Sequence, residues 1–295
     1  MRIPITAREI VWFYGFKIFY NFKHPVFFPL KILRKTTFLF RGVKGNKINA
    51  PTGNISPKII PKKIWIYWTQ GWDNAPPLVK MCRDSWAINN PDWEIHLLDQ
   101  DDFFKYVTLD YSLKGKQLTP TNYSNILRLQ ILSKHGGVWT DATTFCNVSL
   151  DELVPSIIHN GFFTYCKPKT TVADWFMVAE ENNIIVRRWG EYVNLYWKFA
   201  NKEGPYFWPH YLFEYLICLN VEVRNIWNST PHLNSDGPYI AQRYFKQGKE
   251  YSDEEFVKIL FDQKSPMYKL DRRMEISSSV IENVGTRLDE LKKEV

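Results

Sequence analysis

The chain has 295 residues, 45% hydrophobic and 16% aromatic, which is enough for one large α/β domain and argues against a second full one. Its formal charge of +7 is uneven: residues 1–63 carry 13 Lys or Arg against one acidic residue, Glu9, and the remainder carries 25 against 30. That basic excess belongs to no nucleic-acid-binding motif, and no apolar run is long enough to span a bilayer, so neither a nucleic-acid partner nor a transmembrane helix is expected.

Residues 1–47 interleave aromatic residues with Lys17, Lys23, Lys31 and Arg34, without a small-residue cleavage site after a compact apolar core. Rings can enter a headgroup layer while ammonium groups stay among phosphates, which predicts attachment to an anionic membrane surface. A helix docked on the protein's own body is the alternative. Residues 48–61, rich in Pro, Asn, Ser and Gly, read as a linker. Lys63 to Trp68 is a first strand, followed by Thr69, Gln70 and Gly71; in a doubly wound sheet such a loop meets a nucleotide. Pro77 to Asn90 fits a helix with proline in its first turn, and Trp93 to Leu98 a second strand. Asp99, Asp101 and Asp102 read as a cap for Phe103 to Tyr106 rather than as metal ligands. A loop from Thr108 leads to Pro120.

The next stretch, YSNILRLQILSKHGGVWTDATTFC from Tyr123 to Cys146, organises the chain. Ile126, Leu127, Leu129, Ile131 and Leu132 recur at helical spacing, and Ser124, Asn125 and Arg128 share another face. Gly136 and Gly137 end the helix, and Val138-Trp139 is a buried strand that delivers Asp141 to its end. Asp141, with the hydroxyls of Thr143 and Thr144 beside it, can hold one side of a hydrated Mg2+ or Mn2+. Arg128 offers a forked donor to a phosphate or sugar hydroxyl. The same residues also fit a helix, turn and strand in which Asp141 caps a turn and Arg128 pairs with a surface carboxylate.

Further on, Leu150 to Pro155 is expected to be a short helix and Gly161 to Cys166 a strand. Thr170 to Asp174 reads as a loop and Trp175 to Ala179 as another strand. Glu180 and Glu181 at its end either face an acceptor or cap the helix Ile184 to Phe199; Trp208 to Leu219 is a further apolar helix. Ser235-Asp236-Gly237-Pro238 makes a cap whose backbone N–H groups suit a phosphate or sugar, with Asp236 a secondary contact candidate. Cys82, Cys146, Cys166 and Cys218 form no C-x-x-C pair, and the sequons at Asn54, Asn122, Asn147 and Asn228 read as chance matches. Both features suit a reducing, cytoplasmic location.

The run from Ser124 to Thr143 resembles the donor-binding core of the glycosyltransferases related to yeast α-1,6-mannosyltransferases and to bacterial capsular polysaccharide synthesis proteins. The resemblance extends through IPKKIWIYWTQG, NPDWEIHLLDQDD, DWFMVAEENNIIVRRWGEYV, SDGPYIAQRYF and SPMYKL. It implies a GT-A-like, Rossmann-type mixed sheet flanked by helices, with a catalytic domain over residues 62–275 and a charged tail over 276–295. It also implies a glycosyltransferase that moves a hexosyl or N-acetylhexosaminyl unit from a nucleoside diphosphate donor to a lipid-linked glycan, with retention, at the inner face of the cell membrane. On that reading Asp141 and Arg128 are catalytic, Asp141 and Thr143 hold the metal, and Trp68, Thr69, Gly71, Ser124, Asn125, Arg128, Gly137, Thr143 and Asp236 meet the donor. Two departures stand out: Asn125 replaces an aspartate before the helical arginine, and Asp141-Ala142-Thr143 replaces D-x-D. A histidine expected after Ser265 to Leu270 is absent, and Asp271 and Arg272 stand there instead. A non-catalytic glycan or nucleotide-sugar binder of the same fold is the alternative.

Overall fold

The computed structural model describes residues 58–294 except 110–112, 114, 117, 168–171, 201–203, 205 and 243–251. The expected membrane-associating segment 1–47 and most of the linker therefore lie outside the described residues. The first strand, β1 (Lys63–Tyr67), has four consecutive buried residues and no exposed face, as a central strand must. Helix α1 (Pro77–Asn89) follows, then β2 (Glu94–Leu98), α2 (Pro120–His135) and β3 (Gly137–Asp141).

Both β2 and β3 pair with β1 in parallel, on opposite sides of it. Right-handed crossovers running in opposite directions place α1 and α2 on opposite faces of the sheet. Accordingly, Ile64, Ile66 and Val138 share one core with Leu78, Val79, Met81 and Trp86 of α1. The order is completed by β6 (Ala173–Ala179), antiparallel to β3, and β5 (Phe162–Tyr165), antiparallel to β6, giving β2-β1-β3-β6-β5. The connections reverse direction at β1, so a crevice opens between the carboxyl ends of β1 and β3, where Tyr67 stands opposite Asp141.

A second ladder flanks this end of the sheet. Strand β4 (Thr144–Cys146) pairs antiparallel with β7 (Met267–Lys269), setting Thr144 opposite Lys269. Among the remaining helices, α3 (Leu150–Ile157) precedes β5, and α4 (Ile184–Phe199) packs on α2 and on α5 (Trp208–Leu219), which in turn meets α6 (Val221–Ser229). Helix α7 (Asp253–Phe261) carries a Ser252/Glu255 capping box and packs on α8 (Ser278–Glu294). The charged tail is thus an integral helix: Val280, Val284 and Leu288, four apart, are buried in the α1 core.

Three local expectations need correction. Residues Ala173 and Asp174, expected in a loop, open β6; a register shift between Thr164 and Tyr165 lets Tyr165 pair with Ala173. Gly137, expected to meet a donor, stands at the amino end of β3, four residues and about 13 Å from Asp141 and outside the lining of the crevice. Its φ of 94° and its surroundings explain the glycine instead. A Cβ at this position would stand 2.5 Å from Lys63 O, because the backbones of β1 and β3 approach too closely for any side chain. Finally, Glu180 and Glu181 follow the end of β6 that pairs with Gly137, away from the crevice, while Asn183 caps α4. Among the described residues no helix is long and apolar enough to cross a membrane.

Candidate active site

The site grows from Arg128, which α2 buries in its second half. Its Nε donates to Ser124 O at 3.2 Å and Nη2 to Ser124 Oγ at 2.9 Å, so the helix itself fixes the guanidinium one turn away. Nη2 then reaches Asp141 Oδ1 at 3.2 Å, and Nη1 reaches Asp174 Oδ2 at 2.7 Å and Asp174 O at 2.9 Å. The planar fork bridges β3 and β6, a geometry open to arginine and not to the point charge of lysine. Trp139 lies against it, with its ring centroid 5.5 Å from Arg128 Cζ.

Sequence reasoning misses Asp174, because its segment reads as a loop. Its second oxygen, Oδ1, meets His210 Nε2 at 2.9 Å. Helix α5 is held at α2 by the Trp208 indole N–H, which donates to Asn122 Oδ1 at 3.2 Å. Burial works to raise the Asp174 carboxyl, but the Arg128 guanidinium and the His210 imidazole outweigh it and hold the group well below the usual carboxylate range. In the interval between folded and unfolded values the unfolded chain binds more protons. The stabilisation from this carboxylate is therefore present above about pH 4 and lost as pH falls through that interval. Asp174→Asn is expected to flatten the acid limb of stability below about pH 4, measured by urea unfolding at stepped pH.

Lys269, at the end of β7, is the second residue that sequence reasoning misses. Its Nζ lies 3.2 Å from Asp141 Oδ2 and 2.5 Å from Thr143 Oγ1. The sequence carries one signal for it, a lysine between Tyr268 and Leu270, both fully buried. The reason for its partial burial lies across the β4/β7 ladder.

Around this cluster opens a cleft of about 860 Å³, in the range of small-ligand sites. Of the expected residues, Trp68, Thr69, Ser124, Asn125, Arg128, Asp141 and Thr143 line it, as do Asp271 and Arg272 at the position of the absent histidine. Gly71, Gly137 and Asp236 do not. Asp236 is turned to Asn234, whose Nδ2 donates to Asp236 Oδ2 at 2.9 Å; its turn instead buttresses β7, since Pro238 O accepts from Lys269 N at 2.8 Å. Lys167 sits over the rings of Tyr239 and Phe207, at 5.0 and 5.8 Å from their centroids, and burial lowers its ammonium pKa. The acidic run before Phe103 closes on itself, with Asp99 Oδ1 accepting from the backbone N–H groups of Asp101 and Asp102.

The donor set does not suit the divalent ion that D-x-D chemistry implies. Asp141 is the carboxylate that shares a cation with Thr143, and both its oxygens already face cations. The other cleft carboxylates are engaged as well, Asp174 with Arg128 and His210, and Asp271 with Arg273 at 2.6 Å. No cluster of three His, Cys, Asp or Glu suited to a metal ion occurs among the described residues. Mg2+ takes most of its shell from waters and phosphates but needs one or two protein carboxylates turned to it, and the carboxylate of Asp141 is turned to Arg128 and Lys269 instead.

An α/β sheet with a ligand-sized cleft at its topological switch point, closed over an arginine shared by two strand-end carboxylates, is a candidate small-molecule site. The chain belongs to the capsular polysaccharide synthesis protein family, whose profile matches residues 38–288. It is similar to O-glycosyltransferase braB of Annulohypoxylon truncatum, 26% identical over 196 residues, which cover 58% of this chain and 46% of that protein. O-glycosyltransferase PaGT of Phomopsis amygdali is 22% identical over 163 residues, covering 48% and 40%. The chain thus spans less than half the length of these curated relatives. Similar solved structures include the PaToxG glycosyltransferase, at TM-score 0.43 and 14% identity over 80% of this chain and 87% of that one. The apo form of the glycosyltransferase GlyE of Streptococcus pneumoniae TIGR4 is similar at TM-score 0.44 and 10% identity, over 80% and 63%.

Proposed function

We propose that this protein transfers a sugar from a nucleoside diphosphate donor to a glycan acceptor in surface-polysaccharide synthesis. The observation that supports the reading most directly is the Arg128 fork, shared between Asp141 and Asp174 at the carboxyl edge of the sheet inside the cleft. Trp68 and Thr69 border the base and ribose, while Ser124, Asn125 and Asp141 face the sugar. Arg128 offers fixed positive charge to the departing diphosphate, where a preorganised donor favours the transition state over the ground state.

Retention of anomeric configuration fits this cleft. Each of its carboxylates is already engaged by a cation, so none is free to act as nucleophile or base. The acceptor hydroxyl then attacks from the face that the diphosphate leaves, and a diphosphate oxygen takes its proton. Incubation with a panel of UDP-, GDP-, CDP- and dTDP-sugars is expected to release nucleoside diphosphate from one of them. Saturable binding without release would favour the non-catalytic binder that Asn125 and Thr143 suggest, and neither binding nor release would overturn the donor reading.

The acceptor is proposed to be lipid-linked and met at the inner face of the membrane, with the basic aromatic residues 1–47 as the attachment. Each Lys or Arg near an anionic surface contributes about 1 kcal/mol. Replacing Lys17, Lys23, Lys31 and Arg34 with glutamine should therefore sharply reduce flotation with anionic vesicles; equal flotation of both forms would reject the attachment.

A further inference from the structure

We propose that the Lys269 ammonium takes the place of the divalent cation, so that the site holds a donor's diphosphate without a metal. The proposal rests on the donor reading above and adds the origin of its positive charge. A magnesium ion ligated by Asp141 Oδ2 and Thr143 Oγ1 would stand about 2.0–2.1 Å from each oxygen. Lys269 Nζ already contacts both, at 3.2 and 2.5 Å, and the two cations cannot share the position. Thr143 provides a neutral hydroxyl where D-x-D provides a second carboxylate, and such an oxygen suits an ammonium donor better than a hard divalent ion.

The lysine is built in rather than loosely placed. Its residue ends β7, opposite Thr144 of β4. Its own N–H donates to Pro238 O, and the next N–H, of Leu270, donates to Thr143 O, both at 2.8 Å. The ladder therefore ties the backbone on either side of the ammonium to the segment that follows Asp141, and the side chain is only 13% exposed. An ammonium has three N–H donors. Asp141 and Thr143 account for two, which leaves one for a phosphate oxygen.

Charge in the cleft points the same way. Its lining holds Arg128, Lys167, Lys269, Arg272 and Arg273 against Asp141, Asp174 and Asp271. Five lysine and arginine cations against three carboxylates leave an excess of two positive charges, so an anionic diphosphate meets compensating charge from the protein itself.

Calorimetric titration of UDP, GDP, CDP and dTDP, in EDTA and then in excess Mn2+, tests this. One of them is expected to bind in EDTA, with Mn2+ changing its Kd by less than about threefold, a difference under 1 kcal/mol. Lys269→Met should weaken that binding about 10- to 100-fold, the worth of a hydrogen bond to a charged group, while Lys269→Arg keeps most of it. Melting curves identify a variant that does not fold, in which case the wild-type comparison in EDTA and Mn2+ decides alone. Binding that requires Mn2+, or a folded Lys269→Met variant that binds as tightly as wild type in EDTA, would overturn the metal-free site and leave the donor reading standing. No nucleoside diphosphate bound in either condition would remove both.

Discussion

Arg128→Met is expected to end donor turnover and to destabilise the fold by about 3–5 kcal/mol, the cost of leaving buried charge without its partner. The guanidinium is 6% exposed and lies between Asp141 and Asp174; the second of these is itself buried and is held ionised largely by this arginine. Without the fork, Asp174 keeps His210 at hydrogen-bond distance and the more distant Lys167, and two carboxylates at neighbouring strand ends lose the cation between them. Arg128→Lys restores a charge but not the bridge, because one ammonium cannot reproduce the fork that spans two strands. It should recover part of the stability and little of the turnover. Urea unfolding and nucleoside diphosphate release, measured on the same preparations, check both halves.

Asp141→Ala is expected to separate the two effects that Arg128 combines. This carboxylate is 25% exposed at the cleft, and in its absence Arg128 still pairs with Asp174 and with Ser124. Stability should change by about 1 kcal/mol or less, as for a solvent-reached ion pair. Donor release should fall by about 100-fold or more, since Arg128 and Lys269 both lose the anion that aims them. Full release by the folded variant would show that the strand-end carboxylate has no part in the reaction.

Together the two variants assign different work to the two carboxylates that share Arg128. Asp174, held between Arg128 and His210, belongs to the scaffold that fixes the fork. Asp141, with its side chain 25% exposed against 12% for Asp174, is the more open of the two to a ligand. Neighbouring anions of this kind are tolerated in a partly dry site only because each has a cation at hydrogen-bond distance.

Local chemistry explains what is legible in the sequence. Alternation between apolar and polar faces in Tyr123 to His135, two glycines and a short apolar strand describe one continuous supersecondary unit, and every force that shapes it acts within about twenty residues. Arg128 and Asp141 are legible because the same unit carries both. The strands at Lys63 and Glu94 and the helix between them are legible for the same reason, and the tight approach of Gly137 to Lys63 follows from the parallel pairing that this unit requires.

The rest of the site is not local. Asp174 meets Arg128 from 46 residues away, His210 meets Asp174 from 36, and Lys269 meets Thr143 from 126. Asp174 reads as a loop residue in isolation because an unpaired aspartate disfavours a buried strand. Only a guanidinium on another element reverses that preference. Asp236 is the opposite case: a good capping sequence reads as a ligand site, yet the turn spends its carbonyl on Lys269 and its carboxylate on Asn234. The sequence by itself determined the sheet's central unit, its carboxyl edge and the arginine and aspartate placed there, because helix, turn and strand preferences are set by near neighbours. Only the tertiary structure decided which charges surround that aspartate, because the partner of a buried ion is chosen by whichever distant element packs over it.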